Sequence, residues 1–361
     1  MQKNRFDLVV AEIKAQAMNP PGKDIYLQSF YTHVLNNLDR DRSNQLIKII
    51  TETLTVRPKI THKHFVNLLF RSVQYLETNY LNNVNYPNGL ETPEAWDKEI
   101  NQLLENIEYE KHLRLTLKER NTTTTIYQRY CGPYFIMSTL TKNKVTFVDL
   151  GCGAGYGPLG ISKSVPFKEI VDRTVGKKVA AQMRLPLPLN KAYGIDVTSH
   201  GDPESISWLR ACQFYPSEIY QMNDILNFEK KVGFFNGKVT FFESDITNPK
   251  AIRNEFPKKK CDFATVCTTL YMIPDKKENV LKFAQGLLKP NGLVIVQDFA
   301  RKTPNGKLRF DVSWTTGWPY RTFVWGKATG YKFWEVLKWS SGRCREVAPG
   351  DDFKAFLHLA S

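Results

Sequence analysis

The stretch that most constrains this chain runs from Val145 to Gly160, VTFVDLGCGAGYGPLG. Its first four residues form a short apolar, β-branched run that predicts a buried parallel strand. The strand ends in Asp149 and passes into a loop with Gly151, Gly153 and Gly155 at alternate positions. Glycines so spaced let the backbone turn tightly and approach a ligand that side chains would block. The loop feeds a helix start, so unpaired N–H groups and a positive helix end face one crevice.

Two cofactor classes use such a strand, loop and helix. The dinucleotide fingerprint is G-x-G-x-x-G, with the pyrophosphate on the helix N-terminus. Here the pattern is D-x-G-x-G-x-G, with an acid two residues before the first glycine. A carboxylate there repels phosphate and suits an ammonium, which argues against a nicotinamide oxidoreductase. S-adenosylmethionine carries an amino-acid ammonium and a sulfonium. On these residues the chain resembles the class I S-adenosylmethionine-dependent methyltransferases, whose first motif has this form.

The resemblance covers about Tyr127 to Val296. It implies a Rossmann-like α/β fold: a seven-stranded, mostly parallel sheet with helices on both faces and an antiparallel C-terminal hairpin. The cofactor then lies at the carboxyl ends of the strands, where strand order reverses. Asp149, Gly151, Cys152, Gly153 and Gly155 would line it from the first strand. Asp196 closes a second strand, AYGID, and with Val197 would meet the ribose. Asp245 and Ile246, after the strand VTFFE, would hold the adenine; Asp245 also suits a helix N-cap. Cys267 and Thr268, at the end of DFATVCT, complete the set. Arg129, just before the first strand, would pair with the methionine carboxylate, or stand as a solvent-exposed helix arginine.

The substrate side is less legible. Enzymes that methylate exocyclic base amines carry an Asn/Asp/Ser-Pro-Pro-aromatic motif after the fourth strand. This chain has CTTLYMIPD, similar to the V-x-x-x-L-H-H-I-P-D segment of small-molecule methyltransferases. Leu270-Tyr271-Met272 replaces the paired histidines, which leaves Tyr271 as the polar group. His200, Tyr271 and Asp298 are the candidate catalytic residues, since methyl transfer needs an oriented acceptor and sometimes a base. The bland alternatives are an exposed His200 and a packed Tyr271. Trp314 and Trp318, in a loop past the fifth strand, are candidate walls of an acceptor pocket, along with Tyr271. Trp325 and Trp334 occupy strand positions that predict burial.

Residues 1–120 carry helical stripes, among them Leu46, Ile49, Ile50 and Leu54, then Phe65, Leu68, Leu69 and Val73. They predict a helical N-terminal domain, either plain core packing or a cap over the cofactor, followed by a methyltransferase domain over 121–361. An insert over 161–190 separates the glycine loop from the second strand.

Six scattered cysteines show no metal-ligand spacing, and no metal site is expected. No apolar run approaches the ~20 residues of a membrane span, and no secretory leader is expected. The chain reads as cytoplasmic. The net charge of +14 over 361 residues invites a polyanionic partner, but the lysines are spread along the sequence and no RNA-binding fingerprint is present. A small-molecule acceptor is the leading reading. A protein or RNA methyltransferase that docks its substrate on the helical domain is the alternative, and a non-catalytic binding protein is a third.

Overall fold

The predicted apolar stripes fold as helices α1 (Arg5–Met18), α2 (Ile25–Arg40), α3 (Gln45–Val56), α4 (His62–Tyr75), α5 (Pro93–Glu105) and α6 (Ile107–Glu119). In this computed structural model the described residues are 5–40, 44–81, 83, 85–122, 127–163, 179, 186–197, 201–219, 225–227, 229–230, 238–252, 254–310, 319–340, 344 and 346–360. The chain forms two units, Met1–Thr124 with Pro203–Leu226, and Thr125–Asp202 with Asn227–Ser361.

In the first unit, side-chain caps fix where helices begin. Asn44, Thr61, Thr92 and Asn106 each accept a bond from a backbone N–H of the following turn, which satisfies donors no helix can pair internally. The core centres on Phe30, whose ring meets Phe70 and Trp96 edge-on, each at 5.2 Å. His33 is buried beside Asp97, and burial pushes its imidazole down to about 4. It is therefore a neutral core histidine at physiological pH.

The second unit begins with α7 (Cys131–Leu140), β1 (Val145–Leu150), α8 (Tyr156–Ser162) and β2 (Leu189–Asp196). The chain then leaves the sheet for α9 (Pro203–Gln213), which belongs to the helical unit. Arg71 and Gln74 of α4 donate to the carbonyls of Ala211 and Phe214, so the last turn of α9 is capped by side chains from another helix. The sheet resumes with β3 (Val239–Glu243), β4 (Cys261–Cys267), α10 (Lys277–Leu287), β5 (Leu288–Lys302), β6 (Leu308–Phe310), β7 (Tyr320–Gly326), β8 (Trp334–Trp339) and β9 (Val347–Pro349), and α11 (Phe353–His358) follows.

The strand order is β3-β2-β1-β4-β5-β7-β8-β9, with β6 paired to β5. The first five strands are parallel, whereas β7, β8 and β9 each run antiparallel to the strand before. This is the expected mostly parallel sheet with an antiparallel end; the three-residue β6 and β9 raise the count to nine. β1 is buried throughout and its side chains alternate between two cores. Phe147 faces α7 and α11, where Phe135 stacks on Phe353 at 5.9 Å. Val148 faces the Val280, Phe283 and Leu287 stripe of α10. Pairing of β5 begins at Leu288, and the register jumps from Cys261↔Leu288 to Phe263↔Leu293. The predicted Lys-Pro-Asn-Gly turn is thus a bulge inside one strand.

Trp325 and Trp334 depart from the expected core positions: both are half-buried. They lie beside the β7–β8 turn, where Trp325 packs on Tyr331 and Phe333 of the turn itself. Trp339 of β8 is buried instead, and its Nε1 donates to Thr322 Oγ1 at 2.8 Å. The insert lies outside the described residues except at its ends and at 179.

Candidate cofactor and acceptor site

Parallel strands place all their carboxyl ends on one rim, and the order reverses between β1 and β4. The glycine loop sits there. Gly151, Gly153 and Gly155 have φ of 75°, 53° and 78°, in the left-handed region that side chains disfavour. The Gly151 amide donates to Ile195 O at 2.8 Å, and the Gly153 amide to Asp196 Oδ2 at 2.7 Å. The loop therefore ties the tip of β1 to the tip of β2.

Asp149 is fully buried at the end of β1. Oδ1 accepts from Thr265 Oγ1 at 2.6 Å, and Oδ2 from the Tyr130 hydroxyl at 3.0 Å. Both partners are neutral. Burial pushes the Asp149 carboxyl up to about 7; the two hydroxyl bonds pull it back, and the charge of Asp196 raises it further. A carboxylate so poised gains most from a cationic partner. Tyr130 reaches it because residue 157 is glycine: a Cβ there would stand 2.0 Å from the Tyr130 ring. Sequence reasoning did not find the roles of Tyr130, Thr265 and Gly157. Thr265 was visible as a hydroxyl in an apolar strand, but only register sets it opposite Asp149.

At the tip of β2, Asp196 also accepts from the Val197 amide at 2.8 Å. Asp196 Oδ2 and Oδ1 thus accept from the Gly153 and Val197 amides, which holds the carboxylate at the rim of the crevice. The Ser244 amide donates to Asp196 O at 2.7 Å and brings the end of β3 alongside. Beyond it Asp245 is exposed, its Oδ1 accepting from the Thr247 amide at 2.8 Å, while Ile246 is buried. Cys152 and Cys267 are buried, and burial holds both thiols well above their usual value. They are apolar lining rather than nucleophiles.

A second group forms where β4 and β5 leave the parallel sheet and β7 begins. Thr268 has φ of 54°, unusual for a β-branched residue and a mark of a held conformation. Its amide donates to Gln297 O at 2.8 Å, and its hydroxyl pairs with the Tyr320 hydroxyl at 2.7 Å. Asp298 is fully buried. The amides of Thr269, Leu270 and Tyr271 converge on its Oδ2 at 3.2, 2.8 and 3.2 Å, and the Phe299 amide donates to Oδ1 at 2.7 Å. This carboxylate is committed to holding the turn that presents Tyr271. Burial pushes it up to about 7, against the pull of these amides and of the Arg129 charge.

Arg129 is buried, its guanidinium 5.6 Å above the Tyr320 ring. The Tyr271 ring meets Phe299 edge-on at 5.5 Å, and Phe299 lies 4.8 Å from Tyr320. Burial raises the Tyr271 hydroxyl above its usual value, so it remains a proton donor at neutral pH. His200, Trp314 and Trp318 lie outside the described residues. Among the described residues no cluster of His, Cys, Asp or Glu could hold a metal ion.

Replacing Asp298 by alanine removes the acceptor of four backbone amides, that of Leu270 in a fully buried bond. A loss of about 3 kcal/mol in stability is expected, read as a lower denaturation midpoint. An unchanged midpoint would show that the turn holds without it.

No curated protein matches the sequence. Solved structures overlap it in part. A Haloferax volcanii methyltransferase in complex with the Trm112 activator is 15% identical, over 47% of this chain and 52% of that one, with a TM-score of 0.26. The arsenic(III) S-adenosylmethionine methyltransferase of Chlamydomonas reinhardtii is 18% identical, over 44% and 41%, at 0.24. Phosphoethanolamine N-methyltransferase 2 of Haemonchus contortus is 14% identical, over 48% and 29%, at 0.26. The chain thus spans about half the length, or less, of each of these proteins, and their acceptors and partners are not carried over to it. The family model for a methyltransferase domain matches residues 90–333, more than half of the chain and the whole of the site just described. The chain therefore belongs to the methyltransferase domain family, in the S-adenosylmethionine-dependent class that its glycine loop resembles.

Proposed function

We propose that the protein moves the methyl group of S-adenosylmethionine to oxygen, nitrogen or carbon of a small-molecule acceptor. The residues present fit the cofactor. Asp149 is a buried carboxylate with only neutral partners named above and a raised proton affinity, which suits the methionine ammonium. Asp196, a carboxylate at the tip of β2, suits the ribose hydroxyls. Asp245, with the buried Ile246, suits the adenine edge and face. Arg129 serves either the methionine carboxylate or an anionic group of the acceptor. The cofactor supplies an electrophilic methyl on a sulfonium. The chain's own work is to orient the acceptor for in-line attack and exclude water.

The observation that carries the small-molecule reading is the aromatic row Tyr271–Phe299–Tyr320 at the carboxyl-end rim, past β4, on β5 and at the start of β7, with the buried Arg129 over Tyr320. Apolar and aromatic walls with a few fixed polar groups suit a compact ligand. Asp298 acts here as a positioning residue through its turn, and Tyr271 orients the acceptor by donating a hydrogen bond. A cytoplasmic location is part of the proposal. All six cysteines are free and buried, which fits a reducing compartment, and no helix among the described residues is long and apolar enough to cross a membrane.

The test is incubation with labelled methyl donor and a fractionated metabolite pool. Label is expected in a small-molecule fraction, with Tyr271→Phe lowering kcat/KM by about tenfold, the worth of one hydrogen bond of ~1.4 kcal/mol. Label confined to protein or RNA would overturn the small-molecule reading and leave the cofactor assignment standing.

A further inference from the structure

Eight of the lysines scattered in sequence fall on one edge of the folded sheet. A parallel sheet has two rims. The carboxyl ends of the strands hold the site above; the amino ends form the opposite rim. Lys142 and Lys144 are exposed in the turn that enters β1. Lys238 immediately precedes β3, and Lys258, Lys259 and Lys260 immediately precede β4. This last turn is pinned in place, the Lys259 and Lys260 amides donating to Gly286 O and Leu287 O at 3.2 and 3.1 Å. Lys289 sits in the bulge at the start of β5. Because β7 runs antiparallel, its end lies on the same rim, and Lys327 follows it there.

Among the described residues of these turns the carboxylates are Glu255 and Asp262. Asp262 is already engaged, by Lys289 Nζ at 2.6 Å and the Thr146 amide at 2.9 Å. The rim is therefore a row of cationic side chains running from β3 to β7. Five strand spacings make it about 24 Å long. At its β7 end Tyr331 projects from the turn with 57% of its surface exposed, edge-on to Trp325 at 5.4 Å.

We infer that this amino-end rim is a docking surface for a nucleic-acid strand. A linear row of lysines matches the evenly spaced phosphates of a strand, about seven nucleotides at ~3.4 Å each. Lysines fit charge-driven, sequence-tolerant contact, and an exposed aromatic beside the row offers a base a stacking face. An anionic bilayer fits less well. It is a plane rather than a line, and among the described residues the rim exposes one large apolar side chain, Tyr331, too little to insert. The rim lies away from the crevice, so a strand bound there is a tether and not the methyl acceptor. The inference does not depend on which acceptor the site takes.

The full chain is titrated with labelled 20-mer oligouridylate and oligothymidylate over a salt series. Phosphatidylserine vesicles are the competing arm. The variant carries Lys144→Gln, Lys258→Gln, Lys259→Gln and Lys260→Gln together. A matched variant removes the same charge from exposed lysines of the helical unit: Lys14→Gln, Lys48→Gln, Lys98→Gln and Lys118→Gln. The rim variant is expected to bind an oligonucleotide at least about tenfold more weakly, with the slope of log K against log salt reduced by about 3, near 0.7 per lysine lost. The matched variant should retain wild-type binding. Equal losses in both variants would reduce the effect to net charge and overturn the inference. So would binding to vesicles but to neither oligonucleotide, or binding to none of them. Unchanged affinity for S-adenosylhomocysteine shows that the rim variant is folded. If that affinity is lost, the single substitutions replace the quadruple one, each expected to lower the slope by about 0.7.

Discussion

Asp149→Asn is expected to weaken S-adenosylhomocysteine binding by about 100- to 1000-fold while stabilising the cofactor-free protein at alkaline pH. The first effect follows from removing the anion from the buried site proposed for the methionine ammonium. Losing one partner of a buried charge pair costs about 3–5 kcal/mol, and each ~1.4 kcal/mol is tenfold. The second effect follows from the raised carboxyl. In the folded, cofactor-free protein burial pushes Asp149 up to about 7, against ~3.9 in an unfolded chain. Between those values the folded state holds the extra proton, so this group's contribution to stability falls as pH rises from about 4 to 7 and stays low above. The cost above pH 7 is about 4 kcal/mol, at ~1.36 kcal/mol per unit. Asparagine never pays it.

The variant should therefore melt higher than wild type at pH 8 and much closer to it at pH 4.5. The wild type should also bind cofactor more weakly as pH falls through 7, because Asp149 must lose its proton to meet the ammonium, whereas the variant loses this dependence. Calorimetric titration and thermal melts at both pH values check all three. Equal melting shifts at pH 8 and pH 4.5 would show that Asp149 is not held near neutrality.

Gly157→Ala is the second large effect, and local propensity gives it the wrong sign. Alanine in a helix is favoured over glycine by ~1 kcal/mol, so residue 157 in isolation reads as a stabilising substitution. The folded protein decides otherwise. The added Cβ would stand 2.0, 2.2 and 2.5 Å from three atoms of the Tyr130 ring, and Tyr130 is itself buried. Overpacking of this kind costs about 1–3 kcal/mol. Moving the ring also removes its bond to Asp149, about 1.5–3 kcal/mol for a charged acceptor. We expect a net loss of about 3 kcal/mol and a weaker cofactor site. Pairing the change with Tyr130→Ala tests the cause: the double variant should be less destabilised than the two single changes added together. Strict additivity would mean that the glycine serves something other than Tyr130.

Much of the fold was legible because its signals are local. β1 to β5 follow from β-branched runs ended by Gly, Pro or Asp, and the helical unit from stripes at 3.6-residue spacing. The alternating glycines declared their left-handed loop, because few other residues tolerate that backbone. Where a local rule misled, an end effect was responsible. Trp325 and Trp334 obey strand alternation but lie beside a turn, and burial there is set by what packs across the end of the hairpin.

The sequence alone therefore determined the helices of the first unit, β1 to β5, the glycine loop, the acids at three strand tips and hence the cofactor class, but not the short β6 or the C-terminal α11. It left open everything that depends on pairing between distant segments. Thr265 faces Asp149 through register between β1 and β4. Tyr130 reaches the same carboxylate over a glycine on a different helix. Asp298, a candidate catalytic residue in the sequence, is bound by backbone amides of a turn some 27 residues earlier in the chain. The lysines that precede β1, β3 and β4 fall on one rim because each parallel strand must start from the same side of the sheet. Local chemistry fixes what each segment becomes. Only the long-range packing of the sheet fixes which side chains share an environment, and charge, burial and proton affinity depend on that environment.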